Sequence, residues 1–131
     1  MTVTSPPPNA PIPTELTLRK ATRELEVLFN DGTRASLSAE FLRVHSPSAE
    51  VTGHNVGEGK LVTGKEGVAI DKIDPVGRYA VRLIFDDGHD TGLYTWPVLY
   101  ELCSQKEPKW ARYLERLSQA GYTRKDAENN V

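Results

Sequence analysis

E-L-E-V-L-F-N-D-G-T-R-A-S-L-S-A-E-F-L, residues 24–42, decides how this chain folds. Leu25, Val27 and Phe29 recur at every second position, the period of a strand with one buried face. Asn30-Asp31-Gly32 follows, and Asp and Gly accept the positive φ that a tight hairpin demands. T-R-A-S-L (33–37) then returns as the partner strand. Ser38 stands where its hydroxyl can accept a bond from a free backbone N–H and cap a short helix, A-E-F-L-R-V.

Outward from this unit the pattern extends. T-E-L-T-L-R-K (14–20) alternates in the same way and predicts a preceding strand. The plan recurs downstream, where V-A-I-D-K-I-D-P (68–75) and Y-A-V-R-L-I-F (79–85) read as strands joined near Pro75 and Gly77. D-D-G (86–88) turns the chain, H-D-T-G-L-Y (89–94) continues, and Thr95 is placed to cap a helix whose first turn tolerates Pro97. Two copies of strand, turn, strand and capped helix suggest a repeat. A last helix begins near Glu107-Pro108, with Trp110, Tyr113, Leu114 and Leu117 spaced as a core face and Gly121 as its stop. The predicted class is α+β: a small, mainly antiparallel sheet built from hairpins, with two or three helices packed on one side.

The ends carry little to bury. Five prolines within residues 1–13 predict an extended arm, and 122–131 reads as a flexible tail, leaving 14–121 as a single domain. A chain of 131 residues can build one core without staples. A net charge of −2 gives no bulk attraction to nucleic acid or anionic membrane. The single cysteine, Cys103, excludes an intramolecular disulfide, and its apolar helical setting reads as a buried, inert thiol. The first residues lack the basic and apolar regions of a signal peptide, and no apolar run nears the roughly 18 residues that span a bilayer. The expected location is cytoplasmic.

Few motifs suggest chemistry. G-K-L-V-T-G-K-E (59–66) begins like a phosphate-binding loop, but Glu66 stands where a hydroxyl should hold Mg²⁺, and a strand follows where a helix should receive the phosphates. Ser46 and Ser48 lie beside His45, yet a nucleophile needs a base aimed at it and a group orienting that base. G-x-S-x-G is absent, and no enzyme is expected. His45, His54 and His89, with Glu50, Asp86, Asp87 and Asp90, are candidate metal donors without a diagnostic spacing.

L-R-V-H-S-P-S-A-E-V…G-H together with F-D-D-G-H-D-T-G-L-Y-T-W-P-V-L resembles the family named after the N-terminal domain of γ-butyrobetaine hydroxylase, formerly a domain of unknown function. The resemblance runs from about Pro13 to Cys103. It implies a module that stands alone in bacteria, precedes 2-oxoglutarate/Fe(II) oxygenase domains, or follows the P-loop carrier of iron–sulfur clusters in plants. It also implies a structural zinc held by three cysteines and one histidine. The zinc loop N-C-P-C-S-D-C corresponds here to His45-Ser46-Pro47-Ser48-Ala49-Glu50-Val51, and the histidine to His89. Ser46, Ser48 and Val51 replace the cysteines, and valine offers no donor while neutral hydroxyls are poor zinc ligands.

Two readings stay open. The first is a non-enzymatic accessory or interaction module, associated with iron–sulfur assembly or oxygenase proteins and not with nucleic acid or membrane. Its expected partner surface is Asp87, His89, Tyr94 and Trp96 beside the D-D-G-H-D turn. The alternative is a small zinc or iron protein using His45, His54 and His89. The expectation is that these histidines do not replace the lost cysteines and that the 42–51 stretch is mainly structural, with Phe41 and Leu42 in the core and Ser46 or Ser48 capping a turn.

Overall fold

A computed structural model describes residues 10–47 and 61–124. Strands β1 (Pro13–Arg19), β2 (Glu24–Phe29) and β3 (Arg34–Ser38) lead into helix α1 (Ala39–Val44). Strands β4 (Ile70–Val76), β5 (Ala80–Phe85) and β6 (Leu93–Thr95) lead into α2 (Trp96–Ser104) and α3 (Lys106–Gln119). The class is α+β. Its strands form two three-stranded antiparallel sheets, β1-β2-β3 and β4-β5-β6, where the sequence pattern suggested one.

The repeated plan is visible in detail. Gly32 and Gly88 take φ of 91° and 93° after their aspartates, a left-handed conformation that a side chain would strain. Their amides donate to Phe29 and Phe85 respectively and close the turns. Ser38 and Thr95 hold extended backbone and accept from the amides of Phe41 and Val98, so each sheet hands its last strand to a capped helix.

Strand period decides the core. Leu25, Val27, Phe29 and Leu37 from the first sheet meet Ile70, Val81, Leu83 and Phe85 from the second. Phe41, Leu42, Tyr94, Leu99 and Leu102 complete one continuous cluster. Each fully buried leucine or phenylalanine contributes about 1.5–3 kcal/mol, so the two sheets and the helices stand or fall together. Polar positions alternate outward, as at Glu24, Glu26 and Ser36.

Several boundaries differ from the sequence pattern. The return strand shortens to Leu93–Thr95, although His89 and Gly92 carbonyls still accept from the Phe85 and Leu83 amides. On α3, Tyr113 and Leu117 are buried, whereas Leu114 is 38% exposed and leaves the core face. Ile12 exchanges bonds with Asn30, which extends the ordered edge beyond β1. Tyr122 and Arg124, expected in a free tail, bond to Glu66 and Glu40. No helix among the described residues is long and apolar enough to cross a membrane.

Candidate functional site

The end of α1 and the β5–β6 connection meet at the stretch flagged by its histidines. His45 is the C-cap of α1, and its amide donates to the Phe41 carbonyl at 3.2 Å. Its ring Nδ1 lies 2.8 Å from the same carbonyl, so this nitrogen carries the proton. The ring sits 4.5 Å from Phe41 and 6.4 Å from Tyr113 of α3. Burial lowers the His45 pKa, helped by Lys109 and Arg116 and opposed by the Phe41 carbonyl. It is a neutral packing residue.

One residue further on, Ser46 Oγ is 2.9 Å from His89 Nε2. Space for this contact comes from Gly92, where any Cβ would collide with the Ser46 hydroxyl and press the Tyr94 ring at 3.1 Å. Tyr94 is fully buried and donates to the Leu42 carbonyl at 2.5 Å. Desolvation raises its pKa and the nearby Ser46 hydroxyl counters it. Leu42 lies in the last turn of α1, where carbonyls lack a partner within the helix. Tyr94 thus supplies a bond the helix cannot make itself.

Asp87 organises the turn beside these residues. Its carboxylate accepts from Arg43 Nε at 2.9 Å, Lys65 Nζ at 2.7 Å and the His89 amide at 3.1 Å. Burial works against the charge, but these donors outweigh it and hold the carboxyl at about 2. Asp86 accepts from the Ala69 amide at 3.1 Å and ties the turn to the strand before it. Lys65 and Glu66, the end of the glycine-lysine motif, are engaged by Asp87 and Tyr122 rather than arranged as a phosphate cradle.

The fold thus brings together Ser46, Asp87, His89 and Tyr94 and turns His45 away. The His45 ring packs toward α3, whereas the His89 ring faces Phe85 at 6.0 Å. His54, Ser48, Glu50 and Val51 lie outside the described residues. One partner-surface expectation needs correction. Tyr94 is 0% exposed because β6 pairs it with buried Val81 and directs it into the core. Asp87 stays exposed at the turn while its carboxylate accepts from two cations and an amide. Trp96 is half-buried, its indole N–H donating to the Arg78 carbonyl at 2.7 Å. Ser46 directs its hydroxyl to His89 rather than capping a turn. Arg43, Lys65 and Gly92 carry no sequence signal for these roles, since each acts on a residue far along the chain. Cys103 is buried, and burial pushes its thiol up to about 11, unreactive at neutral pH.

A family model described as gamma-butyrobetaine hydroxylase-like, N-terminal, matches residues 16–100. The chain belongs to this family. Two solution structures determined by NMR are similar to it, each 47% identical, with TM-scores of 0.77 and 0.76. The matches cover 98% of this chain and 99% of the first relative, and 92% and 94% for the second. A crystal structure from Acidithiobacillus ferrooxidans, of a protein of unknown function in the DUF971 family, is 41% identical. It covers 69% of this chain and 90% of its own, with a TM-score of 0.58. No curated protein matches the chain.

The zinc implied by the resemblance does not fit the residues present here. Of its four ligand positions, His89 keeps a nitrogen donor, Ser46 and Ser48 offer neutral hydroxyls and Val51 offers nothing. Ser46 Oγ and His89 Nε2, at two of those positions, bond to one another at 2.9 Å. Among the described residues, no three His, Cys, Asp or Glu side chains form a metal-holding group.

Proposed function

We propose that this family member is a non-enzymatic cytoplasmic accessory module, acting by protein–protein contact alongside iron, iron–sulfur or 2-oxoglutarate oxygenase proteins. The observation carrying this reading is that the ligand and nucleophile candidates are turned on one another. Ser46 Oγ meets His89 Nε2 at 2.9 Å, and His45 Nδ1 meets a backbone carbonyl at 2.8 Å. A serine within hydrogen-bond reach of an imidazole meets only the first requirement of a nucleophile, which also needs open space at its oxygen for a reacting atom. Here the Ser46 hydroxyl packs on Gly92 instead. The link to iron systems is supported by the domain company that the family resemblance implies.

The contact face we favour is displaced from the one suggested by sequence. Tyr79 is 55% exposed, its carbonyl accepts the Trp96 amide at 3.1 Å, and the Trp96 indole N–H caps the Arg78 carbonyl. Arginine and large aromatics at one corner are the composition of interface centres. A net charge of −2 supports a protein partner over nucleic acid or an anionic membrane. The test is quantitative co-purification from native cytoplasm with the wild-type chain and Tyr79→Ser. Iron–sulfur assembly factors or oxygenases should be enriched by the former and lost by the latter. If neither class is ever enriched, the proposed company is wrong.

The alternative reading, a small zinc or iron protein using His45, His54 and His89, is weakened by the His45 ring packing toward α3, and what supports any metal role is narrower. Ser46 and His89 still place two of the family's ligand positions side by side. Metal titration separates the two readings.

A further inference from the structure

Glu40 is the one buried charged side chain among the described residues, 6% exposed on the first turn of α1. Its two carboxylate oxygens accept from Nε and Nη2 of Arg124, the first at 3.0 Å, in a bidentate pair 84 residues apart in the chain. The same guanidinium lies 5.3 Å from the ring centre of Trp110 on α3. A planar fork of donors matched to a carboxylate, with one face on an indole, is the recognition geometry specific to arginine. The segment delivering it is itself anchored: the Tyr122 amide donates to the Leu117 carbonyl at 2.9 Å and its hydroxyl donates to Glu66 at 2.7 Å.

We propose that Glu40 and Trp110 form a guanidinium-receiving site and that the chain's own Arg124 fills it as a latch. The latch couples docking of the C-terminal segment to the order of the α1 end. A buried carboxylate deprived of its partner must draw in water, and breaking such a pair is far more disruptive than never having it. α1 has six residues, so disturbance at Glu40 reaches its far end directly. That end presents the Leu42 carbonyl to Tyr94, Arg43 to Asp87 and Ser46 to His89. The latch therefore controls the candidate site from the opposite end of one helix.

Native-state amide exchange of the full chain tests this at His45 and Ser46, whose amides donate to Phe41 and Arg43. Arg124→Ala should accelerate both by at least about tenfold. Methylguanidinium added to Arg124→Ala should restore protection, and so should the neutral pair Glu40→Gln/Arg124→Ala. Exchange in Arg124→Ala within about twofold of wild type overturns the coupling. Acceleration that methylguanidinium leaves unchanged overturns the receiving site. Should Arg124→Ala fail to fold, the double variant decides. A folded, protected double variant supports the latch, and an unfolded one overturns it.

Discussion

Ser46 Oγ and His89 Nε2 lie 2.9 Å apart across 43 residues of chain. Each comes from a position tied to a different half of the molecule, Ser46 just past the α1 C-cap and His89 just past the β5 turn. The two halves repeat one plan, and this bond joins the helix end of the first to the turn of the second. Two of the four positions that the family's zinc would use are here a serine and a histidine close enough to bond directly. Gly92 supplies the missing volume, and Tyr94 and Asp87 fix the two backbones on either side.

If Ser46 still occupies a ligand position, restoring the donors should restore the metal. Ser46→Cys/Ser48→Cys/Val51→Cys is expected to bind one equivalent of Zn²⁺ and to lose it when His89→Ala is added. Thiolates make the donor set tetrahedral and zinc-selective. Elemental analysis after gel filtration is the readout. A triple variant without zinc would mean that the loop does not converge on His89.

Tyr94→Phe removes one oxygen from a fully buried ring and leaves the Leu42 carbonyl without its donor. The expected loss of stability is about 1–3 kcal/mol, the range for stranding a buried polar group. Urea unfolding measures it. A change under about 0.5 kcal/mol, typical of a surface substitution, would show that the bond contributes little.

Gly92→Ala tests the close approach. The added methyl must displace Ser46, so a loss of about 1–3 kcal/mol is expected, as for overpacked interiors. The His89 ring resonances should shift with it in an NMR spectrum. Unchanged His89 shifts would show that Gly92 is not what admits the Ser46–His89 contact.

Local chemistry was readable in the sequence and long-range pairing was not. Leu25, Val27 and Phe29, the Asp-Gly turns and the Ser38 and Thr95 caps all act within a few residues, and each reappears in the fold. Tyr94 was misread because aromatic residues beside acidic ones suit a surface. Its pairing with Val81, which turns it inward, depends on a register fixed elsewhere. Arg124 looked like part of a polar tail, because nothing near it in sequence marks Glu40 as buried. Sheet number escaped for the same reason: hairpins predict their own pairing, not whether two of them join edges.

Asp87 gives the protein a distinct acid sensitivity. Its folded carboxyl is held at about 2 against an ordinary 3.8, so the charged form is favoured in the folded state. Such a group stabilises fully above its unfolded pKa, and the contribution fades as pH falls through the folded value. That contribution, reduced by solvent screening at this exposed turn, is lost between about pH 4 and pH 2. Wild type should therefore destabilise over that window more steeply than Asp87→Asn, as followed by urea midpoints at successive pH values. Parallel curves for the two proteins would remove Asp87 as the cause.

The central claim, that hydrogen bonds close this site in place of metal, is tested most directly by elemental analysis of protein purified without a histidine tag. It is followed by Zn²⁺ and Fe²⁺ titration monitored at the His89 resonances. The account predicts no metal above background and no saturable shift at His89. Stoichiometric metal that disappears in His45→Ala/His89→Ala would contradict it.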